Sequence, residues 1–185
     1  MSPIVLVLIG AGVVVPGWLW LSYNRFVLQR ELVDNSWSTV DTELRRRYDL
    51  IPNLVATIMG YAAHERSTLE GVIEARSQAV AATGTPEEQA PPENVLVDGL
   101  KQLFAVAEDY PELRADQHYL DLQRELTATE DRIQAARRIY NGNVRDLNRR
   151  VEQIPSNLIA KLGGFRRADY FQIDATATTV PQVTA

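Results

Sequence analysis

The chain has 185 residues, no cysteine and a formal net charge of −5. Its length fits one domain with a modest core plus an appendage, and its acidic balance argues against nucleic acid as a partner, because phosphate binding needs a basic excess. The lack of cysteine excludes disulfides, thiolate metal sites, a cysteine nucleophile and a lipid-modified cysteine anchor.

The first 24 residues contain no charged side chain. Within them, Ile4 to Tyr23 would form a helix of about 30 Å, which matches the hydrocarbon core of a bilayer. We therefore predict a transmembrane anchor over residues 1–24. Aromatic residues gather at its far end, as they do at membrane surfaces, and a basic residue follows them. The predicted membrane-interface residues are Trp18, Trp20, Tyr23 and Arg25.

A cleaved signal peptide is the alternative interpretation of this segment. No basic residue precedes the apolar run, and no small-x-small cleavage site follows it, which favours the anchor. Arg25 and Arg30 follow the run, so the positive-inside rule predicts that the N-terminus is outside and that residues 25–185 are cytoplasmic. The sequence thus predicts a single-pass protein of the bacterial inner membrane, with lipid as the partner of its N-terminal helix.

After the anchor, apolar residues recur at steps of three and four, the spacing of one helix face. They are Val33, Trp37, Val40, Leu44, Tyr48 and Ile51. The stripe continues beyond Pro52, although this proline removes the N–H that would bond to the carbonyl of Tyr48. We predict a kink or tight offset at Pro52 between two segments of similar direction, and a full reversal is the alternative.

The stretch "TGTPEEQAPPEN", residues 83–94, contains three prolines and one glycine and predicts an interhelical linker. A shorter helix follows it. A long helix then begins within residues 111–116 and ends at Pro155, and its apolar seam repeats in steps of four and three from Leu122 to Leu147. A short helical tail follows Pro155.

The predicted fold is all-α: an N-terminal transmembrane helix, then an elongated antiparallel bundle of about three or four long helices. The bundle is expected over residues 25–173 and is mostly cytoplasmic. Residues 174–185 have little to bury, so we expect them to form a disordered tail.

Two stretches resemble the LemA family: residues 23–79, which include "LRRRYDLIPNLVATI", and residues 122–165, followed by "YF". The resemblance implies an all-α bacterial protein with one membrane anchor and no defined molecular activity. It also implies a link to membrane organisation, because one relative takes part in making an internal membrane compartment. Members are often encoded beside membrane proteases or envelope proteins.

The sequence offers no strong chemical site. His64 and Glu65 begin like a zinc-protease helix, but the second histidine is missing. Glu65, Glu70 and Glu74 could give carboxylates to a cation, and a solvated helix face is the simpler interpretation. No phosphate loop or nucleophile motif occurs. We predict no catalytic, cofactor-binding or metal-binding residues, and therefore no enzyme.

Three consecutive arginines, at positions 45–47, are more informative. Asp41 and Arg45, and likewise Glu43 and Arg47, are four residues apart and can pair along one helix. This predicts a solvated, self-paired face. Lipid contact is the alternative, but it would require the helix to fold back to the membrane.

Three further arginines lie on one stripe, opposite the apolar seam of the long helix: Arg138, Arg145 and Arg149. None has an acidic residue four positions earlier. They either pair with glutamates of a neighbouring helix or form an interaction face for another subunit or an acidic partner.

These features predict a membrane-anchored, non-enzymatic scaffold or adaptor that self-associates and serves membrane organisation. Long apolar seams favour a homo-oligomer. The alternative is a regulator or adaptor of a membrane protease or envelope complex, which rests on the family resemblance. A metal-dependent enzyme that uses Glu65, Glu70 and Glu74 is a second alternative.

Overall fold

All regular structure in the described chain is α-helical. The computed structural model describes residues 3–172, without the side chains of residues 4–11. Its helices are α1 (Pro3–Met59), α2 (Arg66–Ala81), α3 (Pro86–Glu108), α4 (Pro111–Arg114), α5 (Gln117–Glu152) and α6 (Ser156–Gly163). The predicted all-α class is confirmed for these residues, whereas the predicted tail over residues 174–185 lies outside them.

The predicted membrane anchor falls on the first part of α1. No helix of the described chain is both long enough and apolar enough to cross a bilayer. The side chains of residues 4–11, which belong to the predicted span, lie outside the described part. The predicted interface residues are all exposed on α1: Trp18, Trp20, Tyr23 and Arg25. The anchor over residues 1–24 is therefore unsupported by the described helices and stays a prediction.

Helix α1 continues through Pro52 to Met59, so the two segments predicted on either side of this proline form one helix. Pro52 leaves the carbonyl of Tyr48 without its usual backbone donor. Arg76 of α2 fills this place, because its Nε donates a hydrogen bond to the Tyr48 carbonyl at 2.6 Å. The helix ends not at Pro52 but at Met59, and residues 60–65 form the connection to α2.

The linker predicted over residues 83–94 is shorter in the structure, because α3 already begins at Pro86. Thr85 caps this helix: its Oγ1 accepts a hydrogen bond from the N–H of Glu88, and its own N–H donates to the Glu88 carboxylate at 2.8 Å. This reciprocal capping box fixes the first turn. Pro86 fits there because N–H groups in a first turn have no helical acceptor.

Two more prolines lie inside α3. Pro91 and Pro92 lack the N–H groups that a helix interior uses, at a cost of about 3 kcal/mol each in an isolated helix. Ala90 and Glu93 beside them are buried, and Glu93 is ion-paired. Tertiary contacts therefore hold this turn helical where composition alone predicts a linker.

The chain divides into two compact units, and α1 and α5 contribute to both. Among the described residues, unit 1 comprises residues 3–37 and 139–168, and it contains α6. Unit 2 comprises residues 38–138 and 169–172, and it contains α2, α3 and α4. Each unit has its own set of buried apolar side chains.

In unit 2, α1 and α5 pack in antiparallel directions. Glu43 accepts a hydrogen bond from Arg132 at 2.9 Å, and Arg46 donates one to Glu125 at 3.0 Å, so residue numbers rise on α1 as they fall on α5. Helices α2, α3 and α4 complete the unit, and Val72 of α2 lies close to Gly99 of α3. Each helix contributes to the core, with side chains such as Val40, Leu44, Ile51, Leu69, Val72, Leu96, Leu103, Leu126 and Ile133.

In unit 1, the same two helices are again antiparallel. The rings of Trp37 and Tyr140 lie 5.2 Å apart between their centroids. One turn further along α5, the side-chain amide of Asn143 donates to the carbonyl of Leu32 and to the hydroxyl of Ser36, each at 3.1 Å. These contacts fix which turns of α1 and α5 face each other in this unit.

The seam predicted for the long helix from Leu122 to Leu147 is buried except at Asn143, which is half-buried. The buried α5 side chains at the predicted positions are Leu122, Leu126, Thr129, Ile133, Ala136, Tyr140 and Leu147. The helix begins at Gln117 and ends at Glu152, close to the predicted limits. The short helical tail predicted after Pro155 is α6. Helical periodicity thus identified the core face of α5 correctly.

The role of Arg76 can be tested with a double-mutant cycle. Arg76→Met should lower the free energy of unfolding by about 1–3 kcal/mol, because the Tyr48 carbonyl loses its donor. In a Pro52→Ala background, residue 52 regains its N–H, so the same change should cost less than about 1 kcal/mol. Urea unfolding in mild detergent measures both costs.

Arg66→Met is the matched control, since Arg66 is exposed on the same helix. Its effect should stay within about 0.5 kcal/mol. Equal costs of Arg76→Met in both backgrounds would show that Arg76 does not replace the missing backbone hydrogen bond.

Candidate functional site

The most unusual polar site in the described chain is a buried charge cluster in unit 2, formed by Arg47, Tyr48, Glu93 and Glu130. Arg47 is 0% exposed. Its Nη1 donates to Oε2 of Glu130 at 2.9 Å, and its Nη2 bonds to Oε2 of Glu93. Tyr48 donates its hydroxyl to Oε1 of Glu93. The cluster therefore ties α1, α3 and α5 together.

Each charged member occupies an apolar face of its helix. Arg47 is three residues after Leu44 and four before Ile51, so it shares the buried face of α1. Glu93 stands three residues before the buried Leu96, and Glu130 three before the buried Ile133. The burial of these charges follows from the same spacing that builds the core.

This position corrects the prediction for the three arginines. Arg47 was expected to pair with Glu43 on a solvated face, but it points inward, and Glu43 pairs with Arg132 instead. Arg46 pairs with Glu125 of α5. The predicted pairing along the helix is confirmed for Arg45, whose Nε lies 2.8 Å from the Asp41 carboxylate.

Burial and charge act against each other in the cluster. Burial raises the pKa of the Glu93 carboxyl above its ordinary value, while Arg47 and the Tyr48 hydroxyl pull it down. Burial would lower the pKa of Arg47, but the carboxylates of Glu93 and Glu130 outweigh it and raise that pKa. Burial and the Glu93 charge both raise the pKa of the Tyr48 hydroxyl. The guanidinium therefore stays charged at every physiological pH.

Two buried polar atoms of the cluster have no hydrogen-bond partner: Nε of Arg47 and Oε1 of Glu130. Taking such charges out of water costs several kcal/mol per ion, and ion pairing recovers this only in part. Within the cluster, the ion pairs of Arg47 join α1 to α3 and to α5.

The predicted interaction face lies on α5, and its residues are exposed. Arg138 belongs to unit 2, and Arg145 and Arg149 belong to unit 1. Arg145 and Arg149 lie 3.9 and 3.4 Å from the carboxylate of Asp146 on their own helix. The side chains of both arginines remain about two-thirds exposed. Their role as a contact face stays a prediction.

The described residues bring no three acidic or histidine side chains close enough to hold a metal ion. Glu70 and Glu74 are exposed, and Glu65 is half-buried at the start of α2. The metal-dependent alternative therefore has no site among the described residues.

The buried cluster gives a prediction with a neighbouring control. Arg47→Met would leave two buried carboxylates without their cation, so the free energy of unfolding should fall by about 3–5 kcal/mol. Arg46→Met removes an exposed pair and should cost no more than about 1 kcal/mol. Adding Glu93→Gln and Glu130→Gln to Arg47→Met should restore part of the loss, since no unpaired charge remains.

Urea unfolding monitored by circular dichroism measures these differences. If Arg47→Met costs no more than Arg46→Met, the ion pairs of Arg47 are not what holds the cluster together.

Comparison with known proteins places these features in a family. Residues 36–184 match the LemA family. Magnetosome protein MamQ 2 of Paramagnetospirillum magneticum is 29% identical over 83% of this chain and 66% of its own length. Magnetosome protein MamQ of Magnetospirillum gryphiswaldense is 27% identical over 83% of this chain and 65% of its own. Protein LemA of Metamycoplasma hominis is 24% identical over 75% and 63%.

This chain thus spans slightly less than two thirds of the length of the curated relatives that it matches. The family match itself includes the first arginine-rich stretch, the buried cluster and the whole of α5. Because it covers well over half of the sequence, the chain belongs to the LemA family.

Proposed function

We propose that this protein is a membrane-anchored, non-enzymatic helical scaffold or adaptor of the bacterial inner membrane, with its N-terminus outside and residues 25–185 in the cytoplasm. The exposed apolar surface of α1 in unit 1 carries the proposal. Between residues 13 and 23, its exposed large apolar side chains are Val13, Val14, Val15, Trp18, Leu19, Trp20, Leu21 and Tyr23. Successive residues are about 100° apart, so this surface surrounds the helix. A helix that is apolar all round needs an apolar environment, and lipid supplies one.

The order of residues along this part of α1 supports the same orientation. Exposed valines come first, and Trp18, Trp20 and Tyr23 follow. Arg25, the first charged residue of the chain, comes after them and is exposed. Tryptophan and tyrosine favour the headgroup level, and basic residues favour the cytoplasmic side.

A scaffold role fits the way in which unit 2 uses its buried polar groups. Arg47, Glu93 and Glu130 bind one another and so join helices, and no described metal group accompanies them. The exposed arginines predicted as a contact face are available to an acidic partner: Arg138, Arg145 and Arg149. A second copy of this acidic chain is one such partner. The relatives named as magnetosome proteins are consistent with a role in membrane organisation.

Membrane retention tests the anchor. The full-length chain should stay with membranes after a carbonate wash, whereas the double variant Val13→Arg with Val14→Arg, at the centre of the predicted span, should lose much of this retention. Each arginine at the centre of a span costs about 2.5–3.5 kcal/mol. Ile139→Arg is the control, because Ile139 is 62% exposed on α5 and should leave retention unchanged.

Release of the unmodified chain by carbonate would overturn the anchor.

A cysteine introduced by Val180→Cys tests the orientation. In whole cells it should react with a membrane-impermeant reagent only after the membrane is opened. Labelling in intact cells would overturn the proposed orientation.

Self-association has its own test. Native mass measurement of the full-length chain in mild detergent should give a dimer or larger. The triple variant Arg138→Gln, Arg145→Gln and Arg149→Gln should shift the mass towards the monomer. Arg124→Gln, another exposed arginine of α5, should leave it unchanged. A strict monomer at high concentration would contradict self-association.

A further inference from the structure

Helix α6 and the turn before it carry three exposed large apolar side chains. Leu162 is 86% exposed, Ile154 is 78% exposed and Leu158 is 60% exposed. Ile154 and Leu162 are the two most exposed large apolar residues of the described chain. The opposite side of α6 is buried through Ile159 and Ala160. Helix α6 therefore has a buried apolar side and an exposed apolar side, and no described residue of unit 1 covers the exposed one.

The end of α6 is held firmly against α1. Gly164 adopts φ +70°, a left-handed conformation that favours glycine, and the N–H of Phe165 donates to the carbonyl of Ala160 at 2.9 Å. The Phe165 ring stacks on Phe26 with centroids 4.8 Å apart and meets the edge of Tyr23 at 5.4 Å. These contacts place the C-terminal end of α6 beside Tyr23.

The approach between the two helices is also close at Gly163. A Cβ atom at this position would lie 2.6 Å from the Phe165 ring and 3.3 Å from the Tyr23 ring. Tyr23 is the last aromatic residue of the uncharged segment of α1. Leu162, the residue before Gly163, therefore lies near the end of the apolar α1 surface within the same unit.

The charge around α6 is opposite to that of the whole chain. Residues 146–169 contain three acidic side chains, Asp146, Glu152 and Asp169, against five basic ones: Arg149, Arg150, Lys161, Arg166 and Arg167. Of these, Arg149 pairs with Asp146 and Arg167 pairs with Glu152. On α1, the Arg30 guanidinium lies 5.9 Å from the centre of the Phe165 ring. Lys161 and Arg166 are exposed. Exposed leucines with basic neighbours are typical of helices that lie in the surface of an anionic bilayer.

We propose that α6 is an interfacial lipid-binding helix, which inserts Ile154, Leu158 and Leu162 into the boundary between headgroups and acyl chains of an anionic bilayer. It lies there beside the end of the anchor, with its basic neighbours on lipid phosphates. The inference rests on the membrane location proposed above and adds a second contact with the bilayer. A protein partner is less suitable, because three side chains fall far short of the roughly 800 Å² per partner that stable interfaces bury.

Because the chain has no cysteine, a single introduced cysteine can report on this contact. Full-length Leu162→Cys, labelled with an environment-sensitive fluorophore, is reconstituted in phosphatidylglycerol vesicles that contain lipids with a quencher near the headgroup. We expect at least about twofold stronger quenching than for the control, as for a residue at an interfacial depth.

The matched control is Ile139→Cys, a similarly exposed apolar position of α5 in the same unit. It lies 13 residues before Glu152, about 20 Å along the helix, and should remain unquenched. Circular dichroism of both labelled proteins checks that the fold is retained.

A second arm tests the charges. With Lys161→Gln and Arg166→Gln added, quenching at position 162 in phosphatidylglycerol should fall to the level seen in phosphatidylcholine. Loss of two basic contacts near an anionic surface predicts this change. Equal quenching in the two lipids for the unmodified charges would overturn the anionic preference.

The outcomes separate this inference from the proposed anchor. A chain that resists carbonate but shows no quenching at position 162 overturns the lipid-binding helix and leaves the anchor in place. A chain that carbonate releases overturns the anchor itself. Protection of the fluorophore that rises with protein density, without lipid quenching, identifies a second copy of the chain as the occupant and contradicts the proposal.

Discussion

Tyr48 is the residue on which the packing of unit 2 depends, because two neighbouring helices bind to it at different atoms. Its carbonyl accepts a hydrogen bond from Arg76 of α2, and its hydroxyl donates one to Glu93 of α3. The carbonyl is free because Pro52 has no N–H, so a gap in one helix provides a binding point for another. Arg47, the residue before Tyr48, binds Glu93 and also reaches Glu130 of α5.

The contacts of residues 45–52 thus explain why three arginines, a tyrosine and a proline stand close together in the sequence. Each of the three arginines has a different partner: Asp41 on the same helix, Glu125 on α5, and the two buried glutamates. Only the first pair could be read from local spacing. Arg46 is 79 residues from Glu125, and Arg47 is 46 residues from Glu93 and 83 residues from Glu130. Local spacing cannot reveal pairs that are so far apart in the sequence.

Apolar periodicity predicted the all-α class and the buried face of α5, because apolar burial repeats with the helical turn. It gave wrong predictions at positions where a helix cap, tertiary packing around prolines or a buried charge determines the structure. The prolines of the predicted linker belong to α3, since a capping box at Thr85 starts the helix and packing carries it through Pro91 and Pro92. The burial of Arg47 could have been suspected from its place between Leu44 and Ile51, yet its partners could not.

A seam of apolar residues that repeats every seven positions has one inherent ambiguity: two helices can slide by seven residues and still match apolar to apolar. The cluster around Arg47 removes this freedom. Seven positions after Glu130, α5 carries Arg137, so a slide in that direction would bring two guanidinium groups together inside the protein. Seven positions before it is Gln123, which has no charge to offer Arg47. The buried glutamate thus sets the register of α5 against α1 and rejects its nearest competitors.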